Sequence, residues 1–301
     1  MKTLVIGATG TVGSEVVKNL RKKGVDVRAL VHTPEKAAQL PNGVEIAAGD
    51  CLKPETLPPA LKDVEYVFML FPISEHETKM GLNAVGALKK AAIRRVVYMS
   101  VQDVEKKTGI PQFESKAPIE KAIVDSGLSY TFLRPNHFFQ NDFRMKDSIS
   151  RRFEYSVPFG NGKISRVDTR DVAEAAVNAL TQEGHAGKAY IAAGPEALSG
   201  HDIALAYAGY LGKPVQYYSP KLDLWEEEAA RFMGEKMAKD VRIMYEYFQR
   251  RGFAASDRDE KQFETLLGHT PRTMLQFAKE AIEMWAQSTH NPQPSTTPPA
   301  Q

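Results

Sequence analysis

Apolar residues along the first half of the chain alternate between two rhythms. Leu4-Val5-Ile6 is a short apolar run, and it is followed by Val12–Lys23, where Val12, Val16, Val17 and Leu20 recur at helical spacing on one face. Strand-like runs return at Val27–Val31 and Val44–Ala48. Tyr66–Phe71 is apolar throughout, which suits a strand buried on both faces. Thr78–Ala92 and Ala117–Ser126 read as helices, and Arg95–Ser100 and Tyr130–Leu133 as strands. This regular alternation predicts an α/β fold, a doubly wound parallel sheet with helices on both faces.

After Arg134-Pro135 the rhythm loosens. Residues 137–150 look helical and carry Phe138, Phe139 and Phe143, and a turn-rich stretch follows at Pro158–Lys163. Asp171–Leu180 reads as a clear helix with Thr169 as its cap, and Ala189–Ala192 as a short strand. Residues 199–211 and 222–286 read as mostly helical, with breaks near Gly252 and Gly268. The expected organisation is a core over 1–135, then a smaller, mostly helical region over 136–286 with elements returning to the core. A tail over 287–301, with four prolines and almost no apolar residues, is expected to be disordered.

Residues 5–16 read Val-Ile-Gly-Ala-Thr-Gly-Thr-Val-Gly-Ser-Glu-Val, a G-x-x-G-x-x-G turn between the first strand and the first helix. In such a turn Gly7 reverses the chain at the strand end, Gly10 leaves room for a pyrophosphate, and Gly13 lets the helix pack close. The first helical N–H groups then face the anion. A bound dinucleotide is therefore expected. The second strand ends at Val31-His32-Thr33, with Lys36 one turn on and no acid at the strand end. An acid there would bind the ribose hydroxyls of NAD, whereas this basic, acid-free end tolerates a 2′-phosphate. NADPH is the expected cofactor, with NADH as the alternative. Asp50, after the third strand, either borders the adenine or is an ordinary turn residue.

Composition narrows the remaining classes. With 301 residues and 43% hydrophobic content, the chain can bury a full core. Lys plus Arg is 39 against 37 Asp plus Glu, a net charge of +2 that gives no support to a nucleic-acid or anionic-membrane partner. Cys51 is the single cysteine, so neither an intrachain disulfide nor a cysteine-rich metal site can form, and no metal site is expected. Nothing reads as a membrane span or a signal sequence, and a cytoplasmic protein is expected. The sequence leaves the oligomeric state open, a homodimer included.

Gly-Ala-Thr-Gly-Thr-Val-Gly at the first turn, Val-Arg-Ala-Leu-Val-His at the second strand and Gly49-Asp50 after the third resemble the NmrA-like group of atypical short-chain dehydrogenases/reductases. Ser115–Glu120, Tyr130–Pro135, Val167–Ala173 and Leu267–Arg272 extend the likeness over about residues 1–285. The group includes triphenylmethane-dye reductase, NADPH-dependent reductases and redox-sensing regulators that bind cofactor without turnover. The resemblance implies a Rossmann-like domain with a helical substrate region over the nicotinamide. It implies cofactor contacts at Gly7, Thr9, Gly10, Thr11, Val12, His32, Leu70, Phe71 and Pro72. Gly13, Lys36, Asp50, Lys116, Pro135 and Phe138 complete the expected set.

The Tyr-x-x-x-Lys pair of short-chain dehydrogenases uses a tyrosine as proton donor and a lysine that holds the ribose. Lys116 fits the lysine position, but Gln112 stands where the tyrosine would be and cannot act as an acid. Lys116 is expected to bind the nicotinamide ribose. Ser100 lies at the position of the family's usual serine. His137, at the carboxyl end of the sixth strand, is a candidate proton donor because an ordinary histidine titrates near neutrality. Phe71, Phe138, Phe139, Phe143 and Trp225 are candidates for an apolar pocket. The expected function is an NAD(P)H-dependent reductase of a small apolar aromatic or conjugated acceptor, such as a quinone, an azo compound or a dye. The alternative is an NAD(P)-binding redox-sensing regulator without turnover.

Overall fold

A computed structural model describes residues 1–91 and 93–290. Its elements run β1 (Lys2–Ile6), α1 (Thr11–Lys22), β2 (Asp26–Val31), β3 (Glu45–Ala48), α2 (Leu57–Leu61), β4 (Tyr66–Met69), α3 (Glu77–Lys90), β5 (Arg95–Met99), α4 (Pro111–Glu114), α5 (Ala117–Ser126) and β6 (Tyr130–Pro135). There follow β7 (Glu154–Ser156), α6 (Thr169–Thr181), β8 (Lys188–Ala192), α7 (Gly200–Leu211), β9 (Gln216–Tyr218), α8 (Leu222–Met233), α9 (Glu235–Arg251), α10 (Asp257–Leu267) and α11 (Met274–His290). The expected end of the third helix, Ala92, lies outside the described residues.

Seven strands form one parallel sheet in the order β3-β2-β1-β4-β5-β6-β8. The order reverses direction between β1 and β4, so the connections leaving these two strands diverge and open a crevice at their carboxyl ends. The central strands carry apolar side chains on both faces because helices cover both. On one side Val16, Val17 and Leu20 of α1 meet Val172, Ala176 and Leu180 of α6. On the other, Leu57, Leu88, Ile119 and Ile123 of α2, α3 and α5 close over Val67, Val96 and Tyr98. Alanines 173, 175, 176 and 179 are fully buried, and small side chains let α6 lie close against its neighbours.

The helical region has its own core, built from Phe159, Tyr207, Phe248, Phe253 and Phe277. A two-stranded parallel ladder, β7 with β9, sits within it and was invisible in the sequence at three residues a strand. Residues 137–150 are not one regular helix: a tight 3₁₀ stretch covers Phe139–Met145 and a wide π turn covers Ser148–Arg152. The cap of α6 is Asp168 rather than Thr169, its carboxylate accepting from the Arg170 amide at 2.8 Å. Besides Gly252 and Gly268, Gly234 breaks the helical run at φ +82°, which glycine adopts without strain. Helix α11 extends to His290, so the expected tail is helical over 287–290; the remainder of it lies outside the described residues. Among the described residues, no helix is long and apolar enough to cross a membrane.

Candidate active site at the sheet switch point

Gly7 leaves β1 at φ +82°, and a side-chain carbon there would sit 2.6 Å from the Leu70 carbonyl oxygen. The turn is therefore pressed against the end of β4, where the Leu70 amide donates to the Ile6 carbonyl at 3.2 Å. Gly13 is equally constrained, since an added carbon would run into the Gly7 carbonyl. Gly10 differs. Its φ of −83° suits any residue, and the only atom an added carbon would meet is the Gly7 oxygen, at an ordinary 3.4 Å. The protein itself does not require a glycine there.

Gly10 is also the N-cap of α1, and no side chain caps that helix or places an acid in its first turn. The first N–H groups of a helix need an outside partner, and the helix dipole favours an anion there. Thr9 is partly exposed, Gly10 and Thr11 are open to solvent, and Val12 and Gly13 are buried beneath them. These features fit the pyrophosphate of a dinucleotide: an uncapped helix start behind a cradle that a side chain would fill.

At the end of β2, His32 is 72% exposed and its Nδ1 stands 4.0 Å from Asp50. Lys36 is exposed on the 3₁₀ turn Pro34–Gln39. The other oxygen of Asp50 accepts from the Leu52 amide at 2.8 Å, and the Asp50 amide donates to Thr56 Oγ1 at 2.9 Å. Asp50 thus pins its own turn while presenting a carboxylate beside His32. The basic end of the second strand faces an acid that the spacing along the chain did not reveal.

Across the switch point, Leu70 is half-buried, Phe71 buried and Pro72 exposed. The Phe71 ring packs on Tyr98 at 6.3 Å, so only its backbone remains to face a ligand. Ser100 follows β5, and its hydroxyl is buried with no hydrogen-bond partner among the described residues. Gln112 is buried too: its amide nitrogen donates to Met244 Sδ at 3.1 Å, and its Oε1 is unpartnered. Lys116, 7% exposed, pairs its Nζ with Oε1 of Glu77, a carboxylate just inside α3 that is 1% exposed. Glu77 was not among the sequence-predicted residues. An acid in a first helical turn is ordinary in a sequence, and nothing local distinguishes it.

Pro135 ends β6 and is buried; its carbonyl accepts from the Gln102 amide at 3.1 Å. Asn136 braces this edge to the helical region, donating to Gln102 Oε1 at 2.8 Å and to the Phe253 carbonyl at 2.6 Å. His137 lies edge-on to Phe159 and Phe248, with Nε2 3.1 Å from the Asn141 amide nitrogen and Nδ1 shielded and unpartnered. Burial, and to a lesser degree the Arg166 charge, hold its pKa well below the ordinary histidine value. The near-neutral pKa that motivated His137 as an imidazolium donor does not hold in the fold; the ring is neutral at pH 7.

The aromatic candidates separate by environment. Phe139 stacks on Phe277, Phe143 packs on the same ring, and Trp225 meets Tyr245 edge-on. Phe138 is half-buried and lies beside Val167 through a parallel bridge. Its carbonyl accepts from Arg166 at 2.7 Å. Arg166 and Asp142, both fully buried, form a two-pronged ion pair, with Tyr155 and Tyr207 hydroxyls completing the cluster. Sequence reasoning missed this hub, which holds the 138–145 segment against the 164–167 stretch. Asp171, Glu174 and His269 also draw together, but the Arg272 amide at 2.7 Å and the Arg272 guanidinium already occupy Asp171.

The profile of the NmrA-like family matches residues 1–278. The chain belongs to the NmrA-like family. Within reach of this NmrA-like chain is the NAD(P)H azoreductase of Xenophilus azovorans, 34% identical over 282 residues that cover 92% of this chain and 96% of the relative. Among solved structures, the Escherichia coli NADPH-dependent quinone oxidoreductase complexed with NADPH superposes with a TM-score of 0.84 at 23% identity, covering 93% of this chain and 99% of that one. The triphenylmethane reductase of a Citrobacter species gives 0.84 at 24% identity, covering 94% and 100%. At those identities the two structures speak for the fold, a Rossmann-like sheet with a helical region beyond it.

Proposed function

We propose that this chain is an NAD(P)H-dependent oxidoreductase that delivers hydride to an apolar aromatic or conjugated acceptor such as an azo compound, a quinone or a dye. The observation that carries the reading is the uncapped start of α1 behind an unobstructed Gly10, at the switch point of a parallel sheet. The azoreductase name of the 34%-identical relative supports the acceptor class. NADPH is the favoured cofactor because His32 and Lys36 are both open to solvent at the end of β2, and NADH is the second because the Asp50 carboxylate stands beside His32.

Gly7, Thr9, Gly10, Thr11, Val12 and Gly13 would hold the pyrophosphate, with His32, Lys36 and Asp50 around the adenosine ribose. Leu70, Phe71 and Pro72 would border the cofactor through their backbone, and Pro135 and Phe138 would close the far side. Bound there, the reduced nicotinamide supplies the hydride. Lys116 would orient the nicotinamide ribose by donating from the ammonium hydrogens that Glu77 leaves free. Ser100 offers a buried hydroxyl that lacks a partner among the described residues. Gln112 cannot deliver a proton, which favours an acceptor that takes its proton from water. Quinones, azo compounds and cationic dyes meet that condition; simple ketones do not.

Turnover tests the reading directly: a panel of azo, quinone and dye acceptors is mixed with NADPH and the loss of NADPH absorbance is followed. Consumption with at least one conjugated acceptor and none with simple ketones is the expected result. Gln112 in the tyrosine position favours one competing reading, a redox sensor that binds cofactor without turnover. Tight NADPH binding with no consumption across the panel would select it.

A further inference from the structure

We propose that Glu77 is a positioning residue for Lys116, coupling the loop after β4 to the grip on the nicotinamide ribose. The inference rests on the site proposed above and deepens it. Glu77 is buried at the start of α3, where a carboxylate is stable only if its oxygens are occupied. Both are. Oε1 takes the Lys116 ammonium, and Oε2 accepts from Ser115 Oγ at 2.8 Å. The next residue, Thr78, donates its hydroxyl to the Ser115 carbonyl, also at 2.8 Å. Two successive residues of α3 therefore fasten two successive residues ahead of α5.

The loop that ends at Glu77 begins at Leu70-Phe71-Pro72, beside the glycine turn. Two residues before its end, Glu75 pairs with Lys236 of α9 at 2.6 Å. The segment that borders the switch point is thus tied to the helical region through one acid and to Lys116 through the next. Lys116 reaches its charge through four flexible bonds, and an untethered side chain of that length samples many rotamers. Bonding one ammonium hydrogen to Glu77 selects one of them and leaves two hydrogens for a vicinal diol. The ion pair also keeps a buried ammonium from standing alone.

The test compares NADPH with its adenosine bisphosphate half, a fragment that lacks the nicotinamide riboside. Both affinities are measured by calorimetry on the full chain. Glu77→Ala should weaken NADPH binding about tenfold, the scale of restoring one long side chain's rotamer freedom, and leave the fragment's affinity unchanged. Glu77→Gln, which still accepts through its amide oxygen, should recover most of the loss. Should Glu77→Ala fail to fold, the Lys116→Met background carries the test. There Glu77→Leu should change NADPH affinity no further, because the lysine it orients is already gone. Equal loss for NADPH and the fragment would mean that Glu77 supports the fold at large, and the proposal falls. Unchanged NADPH affinity in Glu77→Ala overturns it as well. A wild-type chain that binds neither molecule refutes the proposed function itself, whereas wild-type binding with an inert Glu77→Ala refutes only the role of Glu77.

Discussion

Gly10→Val separates binding from folding at this site. Valine at position 10 keeps an allowed backbone, φ −83° and ψ 172°, and its Cβ meets only the Gly7 oxygen, at 3.4 Å. Replacing glycine by valine at a helix N-cap costs about 1 kcal/mol. In a chain of 301 residues that lowers the melting temperature by only about 2 °C. Binding is different, because the branched side chain fills the space in front of the first α1 amides. A pyrophosphate held there makes charge-assisted hydrogen bonds worth about 1.5–3 kcal/mol each. Losing two of them weakens NADPH at least about a hundredfold, with 1.4 kcal/mol for each factor of ten. Gly13→Ala is the control with the opposite signature, since its Cβ collides with the Gly7 carbonyl and the fold should suffer first. Calorimetric titration and thermal denaturation on both variants decide the matter. A folded Gly10→Val protein that binds NADPH as tightly as the wild type would refute the assignment of the turn.

Lys116→Ala should slow turnover by a similar factor for every acceptor while weakening NADPH, and Lys116→Arg should recover part of the loss; acceptor-dependent factors in steady-state kinetics would contradict a ribose-holding role. His32→Ala with Lys36→Ala should cut NADPH affinity about tenfold and leave NADH affinity nearly unchanged, as paired titrations would show. Arg166→Met strands the buried Asp142 carboxylate and should destabilise the fold by about 3–5 kcal/mol, read from denaturant unfolding. The folded state depresses the His137 pKa below its ordinary 6.5, so the unfolded chain binds the proton more readily. The resulting stability is complete well above pH 6.5 and declines as the pH falls through that value. His137→Phe should flatten the decline in melting curves taken at a series of pH values.

Much of the frame was legible along the chain because it is local. Apolar runs of the right length predicted the central strands, and helical spacing of Val12, Val16, Val17 and Leu20 predicted α1. The glycine turn announces itself through three positions, of which two are demanded by backbone contacts and one, Gly10, is not. Very short strands such as β7 and β9 carry too few residues to establish a period, and they form only because the segments that pair are brought together by the helices around them.

The site divides along the same line. Residue type and spacing were enough to propose the glycine turn as the seat of a dinucleotide and Lys116 as the ribose-holding lysine, and they put Gln112, not an acid, four residues before it. Tertiary structure decided the rest. Glu77 reaches Lys116 across 39 positions, Arg166 reaches Asp142 across 24, and Asp50 faces His32 from a neighbouring strand end. Each is a contact between polar side chains distant along the chain, and local patterns hold no information about such distances. The neutral state of His137 is likewise a property of the aromatic rings and the Arg166 charge packed around it, set by burial rather than by the residue itself.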